Sequence, residues 1–258
     1  MKYIFANWKM HLGIRESVAL ARAVMQTLRG EDDMPQVVIF PSFTVLNDVR
    51  KVMARSRMKL GAQNCGTEKK GAFTGEVSAH MLEDVGCQYA LVGHSERRII
   101  FSETNEIVAK RYKTVLLESK ITPVLCVGET LVERQADNAQ GYVSEQIVSV
   151  FNGVRIPRQK EVFIAYEPVW AIGASQPASV ADVVSMHSFI KELVKKLTDV
   201  ADNRIHILYG GSIDAKNVYA FLREKQVDGV LVGGASLKVK DFELIVKSAT
   251  DVITAQEL

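Results

Sequence analysis

The chain has 258 residues, 47% of them hydrophobic and 24% charged, with a formal net charge of +2. This composition is ordinary for a soluble globular protein, and the small net charge excludes strong electrostatic attraction to nucleic acid or to an anionic membrane. No apolar run approaches the roughly 20 residues that span a bilayer. The apolar stretch at the N-terminus is too short for the core of a signal peptide. We therefore expect a cytoplasmic protein that binds neither nucleic acid nor membrane.

The cysteine content gives no sign of a disulfide framework. The three cysteines, Cys65, Cys87 and Cys126, are an odd number, and they form neither a CxxC pair nor a spacing typical of a metal site. We interpret them as reduced thiols with a structural role.

Eight short apolar runs recur along the chain and predict eight buried β-strands. They are nearly continuous in β-branched and apolar residues, which is typical of strands in a parallel sheet that is covered on both faces. In chain order the runs are YIFANWK (3–9), VVIFPS (37–42), KLGAQN (59–64), YALVGH (89–94), TPVLCVGE (122–129), VFIAYEP (162–168), IHILYGGS (205–212) and GVLVGGAS (229–236).

Helical patterns separate these runs, because apolar residues recur there at steps of three and four and so share one helix face. Two such faces are Val18, Ala21, Met25, Leu28 and Val183, His187, Ile190, Val194, Leu197. On this pattern His187 is predicted to be a packed residue. Eight βα units in about 250 residues predict an α/β protein in which residues 1–258 form a single (β/α)8 barrel with eight parallel strands. An open, doubly wound sheet of eight strands is the alternative.

Polar or glycine-rich clusters follow nearly every predicted strand. In a barrel these C-terminal strand ends gather on one face, which is where barrel active sites are found. We see no comparable set at the N-terminal strand ends, and this asymmetry predicts a catalytic mouth. The clusters are Asn7 and Lys9, Gln63 and Asn64, His94 and Ser95, Glu129, Glu167, Gly210 to Ser212, and Gly233 with Gly234.

Glu167 follows five apolar or aromatic residues and precedes Pro168 and Trp170. A glutamate at a strand end is most often a solvated acid that begins a loop. Beside a tryptophan and strand side chains, however, a carboxylate is partly desolvated and becomes a stronger base near neutral pH. The following loop, WAIGASQPAS (170–179), has the glycine and small residues of a lid. The pattern predicts proton abstraction in a pocket that excludes water.

His94 and Lys9 also lie at predicted strand ends. His94 comes just before a predicted helix start, where the positive end of the helix favours a neutral ring that can donate a hydrogen bond to a carbonyl oxygen. Lys9 would place a fixed cation in the mouth, where it offsets negative charge on a substrate or intermediate. We expect Glu96 to pair with Lys9 across the mouth.

Two glycine-rich turns, YGGSI (209–213) and VGGASL (232–237), follow the last two predicted strands. Glycine lets backbone N–H groups approach an anion closely. The loops after the seventh and eighth strands of a barrel are a recurrent phosphate site. Tight βα turns without a ligand are the alternative interpretation of the same residues.

Several of these segments together resemble triosephosphate isomerase along nearly the full length of the chain, in the order and at the spacing of that family. The resemblance implies a TIM barrel that interconverts dihydroxyacetone phosphate and D-glyceraldehyde 3-phosphate in glycolysis and gluconeogenesis, with no metal or organic cofactor. The segments are ANWKM (6–10), GAFTGE (71–76), VGHSERR (92–98), LCVGET (125–130), YEPVWAIG (166–173), YGGS (209–212) and VGGASL (232–237).

The resemblance also implies roles for individual residues. Glu167 is implied to be the general base and His94 the neutral electrophile at the carbonyl oxygen. Asn7 and Lys9 are implied to steady the enediolate, and Lys9 also to face the phosphate. The backbone N–H groups implied to hold the phosphate are those of Gly173, Ser212, Gly233 and Gly234. Glu96 and Cys126 resemble the family's supporting residues.

Members of this family are usually homodimers in which the third loop reaches into the partner. Here that loop is NCGTEKKGAFTGE (64–76), and the resemblance implies that Thr74 lies near the neighbouring mouth, with Phe73 expected to be exposed. The lid departs from the family's common TGKTA pattern, since AIG is followed by Ala174, Ser175, Gln176 and Pro177. Proline fixes its own φ and restricts Gln176 before it, so we expect a stiffer rear hinge with the chemistry retained.

Two other kinds of protein remain alternatives. One is a different phosphate-binding barrel enzyme, such as a sugar-phosphate isomerase or an aldolase, although an aldolase needs a Schiff-base lysine inside the barrel. The other is a non-catalytic barrel that acts as an interaction protein.

Overall fold

A computed structural model describes residues 1–28, 34–172 and 178–257, and its eight strands close into a barrel. All pairs are parallel and follow chain order, and β1 pairs with β8 to close the ring. This confirms the predicted (β/α)8 architecture and excludes the open sheet. The strands are β1 (Tyr3–Asn7), β2 (Gln36–Phe40), β3 (Lys59–Ala62), β4 (Tyr89–Val92), β5 (Thr122–Val127), β6 (Val162–Tyr166), β7 (Ile205–Tyr209) and β8 (Gly229–Val232).

Helices alternate with the strands and cover the outside of the barrel. They are α1 (Ile14–Thr27), α2 (Leu46–Met53), α3 (Ala79–Val85), α4 (Ser95–Ile100), α5 (Asn105–Glu118), α6 (Leu131–Gln135), α7 (Ala139–Phe151), α8 (Val180–Leu197), α9 (Val218–Leu222) and α10 (Val239–Glu257). Short 3₁₀ segments occupy Phe43–Val45, Val169–Ala171, Asp202–Arg204 and Gly234–Leu237. None of the helices in the described ranges combines the length and the apolar character needed to cross a membrane.

The alternation of side chains along each strand builds two cores. One set packs between the strands and the helices, while the other fills the barrel interior with aromatic residues such as Phe5, Phe40 and Phe163. Because strand side chains alternate, the interior row Phe163 and Ala165 continues to Glu167. The polar mouth is therefore a continuation of the barrel core.

The observed strands are shorter than the predicted runs. The first run was predicted to extend to residue 9 and the sixth to residue 168, whereas β1 ends at Asn7 and β6 at Tyr166. The residues beyond those points leave the strand ladder to form the mouth. Lys9, for example, has a φ of 50°, which no strand residue adopts.

The expectation that the N-terminal strand ends carry no polar set is wrong. Lys2 is buried there and donates from Nζ to the Val227 carbonyl oxygen at 2.7 Å, and Lys160 donates to the Ile121 carbonyl oxygen at 2.6 Å. His206 Nε2 lies 3.4 Å from Glu161 Oε1. Carbonyl groups at a closed barrel end are buried and need donors, and long lysine side chains supply them. The charged side chains at this end of the barrel therefore have a structural role.

His187 is fully buried on α8, as predicted, and we expect it to govern part of the acid denaturation. Burial lowers its pKa from 6.5 to about 4, with Nδ1 held 3.0 Å from the Gln226 carbonyl oxygen. In the unfolded chain this histidine binds a proton near pH 6.5, so the free energy of unfolding has its full value above that pH. It falls as the pH drops towards 4, by about 3 kcal/mol for a shift of this size.

Urea unfolding at pH 7 and pH 4.5 measures this effect. His187→Met should lose about 2 kcal/mol less than the parent chain between these two pH values, because methionine binds no proton. His80→Met, at an exposed histidine, serves as the control and should keep the parent pH dependence. An unchanged pH dependence in His187→Met would contradict the assignment.

Candidate active site

Glu167 leaves the end of β6 and turns its carboxylate into the mouth, where it is 2% exposed. Oε2 accepts a hydrogen bond from the Ser95 backbone N–H at 2.8 Å, and Oε1 lies 3.1 Å from His94 Nε2. Its own N–H donates to the Val127 carbonyl oxygen at 2.7 Å. The acid is therefore desolvated, held at both oxygens and tied to the neighbouring strand.

His94 is the N-cap of α4 and is oriented by that helix. Its Nδ1 accepts a hydrogen bond from the Glu96 backbone N–H at 3.2 Å. Because an imidazole nitrogen that accepts from an N–H carries no proton, a neutral ring has its proton on Nε2. Nε2 is the nitrogen that faces Glu167, so the ring directs its single donor into the mouth.

Lys9 stands on a strained turn that two polar side chains hold in place. With φ at 50°, it adopts the left-handed conformation that is uncommon outside glycine. Its N–H donates to Asn7 Oδ1 at 3.0 Å, and its carbonyl oxygen accepts from Gln63 Nε2 at 2.8 Å. Hydrogen bonds at both the N–H and the carbonyl group of Lys9 stabilise this strained conformation. The side chain then extends across the mouth.

The predicted ion pair between Lys9 and Glu96 is present, with Nζ 2.6 Å from Oε1. Burial acts to raise the pKa of Glu96, but the hydrogen bond from Lys9 and the positive charges nearby bring that pKa below its ordinary value. Glu96 therefore stays ionised and holds the ammonium group over the mouth.

The glycine turns after β7 and β8 lie beside Lys9, because β7 pairs with β8 and β8 pairs with β1. A methyl group added at Gly233 would lie 3.5 Å from Lys9 Cε, so the ammonium arm passes directly over this glycine. Gly234 begins a 3₁₀ segment, and the space at its Cβ position is open. Ser212 is half-buried at the end of the neighbouring turn.

Two predictions fall on residues that the structure does not describe. Gly173, predicted to bind phosphate, and the unusual lid residues 174–177 lie outside the described residues.

The approach to that segment is anchored to Glu129, a buried acid at the end of β5. Its Oε1 accepts from Trp170 Nε1 at 2.8 Å and from the Tyr166 hydroxyl at 3.0 Å. The Arg134 guanidinium lies 4.3 Å from the centre of the Trp170 ring. The tryptophan predicted to desolvate Glu167 is thus held on the outer side of the same loop.

Cys126 is fully buried beneath the mouth. Burial, and after it the charge of Glu167, raise the pKa of its thiol well above the ordinary value. Burial likewise raises the pKa of Cys65 and of Cys87 to about 12. All three cysteines are free, so the structure agrees with reduced, unreactive thiols.

Four contacts in the mouth have no counterpart among the predictions. The Ser95 N–H anchors Glu167, and Gln63 closes the Lys9 turn. Gly210 packs against the side chain of Glu167, where an added methyl would lie 2.8 Å from Cγ. Gln146 binds the Gly128 backbone through both atoms of its amide. The only sequence signal for Gln146 is a polar residue on the apolar face of a helix.

Comparison with known proteins agrees with this geometry. The model of the triosephosphate isomerase family matches residues 2–249. The triosephosphate isomerase of Magnetococcus marinus is 42% identical over 251 residues, covering 96% of this chain and 98% of that protein. That of Aquifex aeolicus is 41% identical over 247 residues, covering 96% and 99%. The crystal structure of triosephosphate isomerase from Bartonella henselae superposes with a TM-score of 0.84 at 32% identity, covering 96% and 98%.

Matches of this extent and identity, on a closed (β/α)8 barrel, establish the family and the reaction type. The chain belongs to the triosephosphate isomerase family, and it is an aldose–ketose isomerase that interconverts dihydroxyacetone phosphate and D-glyceraldehyde 3-phosphate.

Proposed function

We propose that the isomerisation runs through an enediolate and that Glu167 is the base that moves the proton between the two substrate carbons. The observation that carries this assignment is the position of its carboxylate, which is buried and lies 3.1 Å from the donor nitrogen of His94. In a site that excludes water, no solvent competes with the substrate for this carboxylate. The carbon that loses its proton is bonded to the carbonyl carbon of the substrate. Glu167 and His94 are neighbours too, so one side chain can take the proton while the other polarises the carbonyl group.

His94 supplies the electrophile in this proposal. With Nδ1 occupied by the Glu96 N–H, the neutral ring offers Nε2–H to the carbonyl oxygen of the substrate. Negative charge that develops on that oxygen is met by a donor already in place, so little reorganisation accompanies the reaction. When the substrate enters, its oxygen takes the place of Glu167 Oε1 as the acceptor of this hydrogen bond.

Lys9 and Asn7 stabilise the enediolate, and Lys9 also faces the phosphate. The Lys9 ammonium group lies between Glu96 and the Gly233 turn. This position supports contact with both the enediolate and the phosphate. The backbone N–H groups of Gly233, Gly234 and Ser212 hold the phosphate, joined by Gly173. Glu96 and Cys126 support the site without contacting the substrate.

An isomerase assay in deuterated water tests the proposed chemistry. Starting from dihydroxyacetone phosphate, a single base returns either the abstracted proton or, after exchange with solvent, a deuteron to the neighbouring carbon, so part of the product should carry deuterium. A product without any deuterium, together with an undiminished rate in Glu167→Gln, would contradict this mechanism. A different sugar-phosphate barrel enzyme would turn over another substrate, and a non-catalytic barrel would turn over none.

We further propose that residues 1–258 act as one catalytic unit, in the cytoplasm, in glycolysis and gluconeogenesis, and that the chain forms a homodimer through the loop 64–76. Arg111 holds the base of this loop by bonds to Cys65 and, at 3.1 Å, to Glu76. Phe73 at its tip is 49% exposed. Other exposed apolar side chains on the loops and helices after β1 to β4 include Met10, Phe43, Met81, Ile99, Ile100 and Phe101. Exposed apolar side chains on several successive loops of a barrel are typical of a protein interface.

Light scattering tests the dimer. The parent chain should have twice the 28.6 kDa mass of one copy, and Phe73→Glu should move the mass towards one copy because a carboxylate in an apolar interface is costly to desolvate. Tyr219→Glu is the matched control, since Tyr219 is 47% exposed on α9, far along the chain from these loops. A parent chain that scatters as a single copy, or a Phe73→Glu variant that stays dimeric, would remove the proposed interface.

A further inference from the structure

Helix α7 places one buried side-chain amide against the loop that follows β5. Gln146 lies on the core face of this helix and is 3% exposed. Its Oε1 accepts the Gly128 N–H at 2.8 Å, and its Nε2 donates to the Gly128 carbonyl oxygen at 3.2 Å. Both halves of the amide are thus used on one residue, which fixes the two peptide groups that flank Gly128.

Gly128 is in direct contact with the backbone of Glu167. A methyl group added at Gly128 would lie 1.8 Å from the Glu167 carbonyl oxygen and 2.5 Å from its carbonyl carbon. The Glu167 N–H is bonded to the carbonyl oxygen of Val127, the residue before Gly128. The end of β5 therefore holds Glu167 from two sides, and a rotation of the Gly128 peptide would displace it.

Apart from the hydrogen bond that the Ser95 N–H donates to Oε2, the side of Glu167 that faces α7 is incompletely packed. A cavity of about 20 Å³ is lined there by Glu167, Gly128 and Gln146, together with Ser95, Arg98 and Tyr142. Because a small cavity borders the acid on this side, packing resists a shift in that direction less than a filled core would. The contact between Gly128 and the Glu167 backbone resists such a shift instead, and Gln146 orients Gly128.

We propose that Gln146 is a positioning residue for the isomerisation: through its double hydrogen bond to Gly128 it sets the position of the Glu167 carboxylate. The inference rests on the proposed role of Glu167 as the base. Misplacing a reacting group by about 1 Å can cost about 10²-fold in rate. The groups proposed to bind the phosphate are Lys9 and the turns after β7 and β8, and Gln146 contacts none of them. Its loss should therefore lower kcat and leave binding intact.

Gln146→Met is the test variant, because methionine matches glutamine in length but makes neither hydrogen bond. We expect kcat to fall by about 10- to 100-fold, with KM and the inhibition constant of inorganic phosphate within about threefold of the parent values. Val150→Ala is the control on the same helix, at a fully buried residue. It should lower the melting temperature without lowering kcat, which separates positioning from general destabilisation of α7.

Gln146→Asn serves if the methionine variant does not fold. It keeps the amide but draws it back by one methylene, about 1.5 Å, and kcat should still fall at least about 10-fold. A variant at Gln146 that folds and keeps kcat within twofold, or one that matches Val150→Ala in both kcat and melting temperature, would overturn the inference. Glu167→Gln is assayed in parallel: if it is fully active, the proposed base is wrong, whereas an inactive Glu167→Gln beside an active Gln146→Met refutes only the positioning role.

Discussion

Glu167→Gln is expected to lower kcat by at least about 10³-fold while the fold is retained. General base catalysis typically contributes 10²–10⁴-fold, and an amide cannot accept the proton. The amide oxygen can still accept the Ser95 N–H hydrogen bond that Oε2 accepts at 2.8 Å, so the side chain stays in place. Turnover is measured in a coupled assay in both directions, and the loss should appear in both.

Two further variants make this result specific. Glu167→Asp keeps the charge but retracts it by about 1 Å, and the loss should be about 10²-fold. Glu161→Gln is the control, because this glutamate precedes β6 just as Glu167 follows it and stands at the opposite end of the barrel. It should leave kcat unchanged. Full activity in Glu167→Gln would mean that another group removes the proton.

The architecture could be predicted because each strand is buried on both faces and therefore appears as an unbroken apolar run. Glu167 shows how the same logic reaches the site, since it is the next inward position after Phe163 and Ala165. Strand ends were harder to predict, because a residue such as Lys9 leaves the strand through a backbone conformation that its side chain does not encode. The buried lysines at the other barrel end were missed because lysine is normally solvated, and only barrel closure creates the carbonyl groups that bind it.

The contacts that hold the mouth together were less predictable than the residues that form it. Glu96 and Lys9 could be paired in advance because opposite charges that face each other across the barrel mouth attract. The Ser95 N–H could not be recognised as an anchor, because every residue except proline has such a group. Gln146 acts from a helix 18 residues beyond Gly128, and its partner depends on how α7 packs on β5. Sequence patterns predict which groups face the mouth, whereas tertiary packing decides which of them touch.

Lys9→Met should lower kcat/KM by about 10³-fold with little effect on stability. One preorganised group at a developing charge is worth about 10²–10³-fold, and Lys9 faces both the phosphate and the enediolate in our proposal. Methionine keeps the length of the side chain and the same left-handed backbone, so the strained turn is unchanged. The Glu96 side chain is 43% exposed and can be solvated when its partner is lost, so the ion pair contributes little to the free energy of unfolding.

The inhibition constant of inorganic phosphate measures the ground-state share of this effect, because phosphate occupies the anion site without reacting. It should rise in Lys9→Met, and kcat should fall as well, since the cation acts on both the bound phosphate and the enediolate. Lys9→Arg should recover part of phosphate binding but less of kcat, because the guanidinium is broader than an ammonium group and spreads its charge. Lys225→Met, at an exposed lysine before β8, should change neither quantity. Phosphate inhibition and kcat that both stay within twofold in Lys9→Met would show that the backbone N–H groups of the two glycine turns bind and stabilise the anion without this cation.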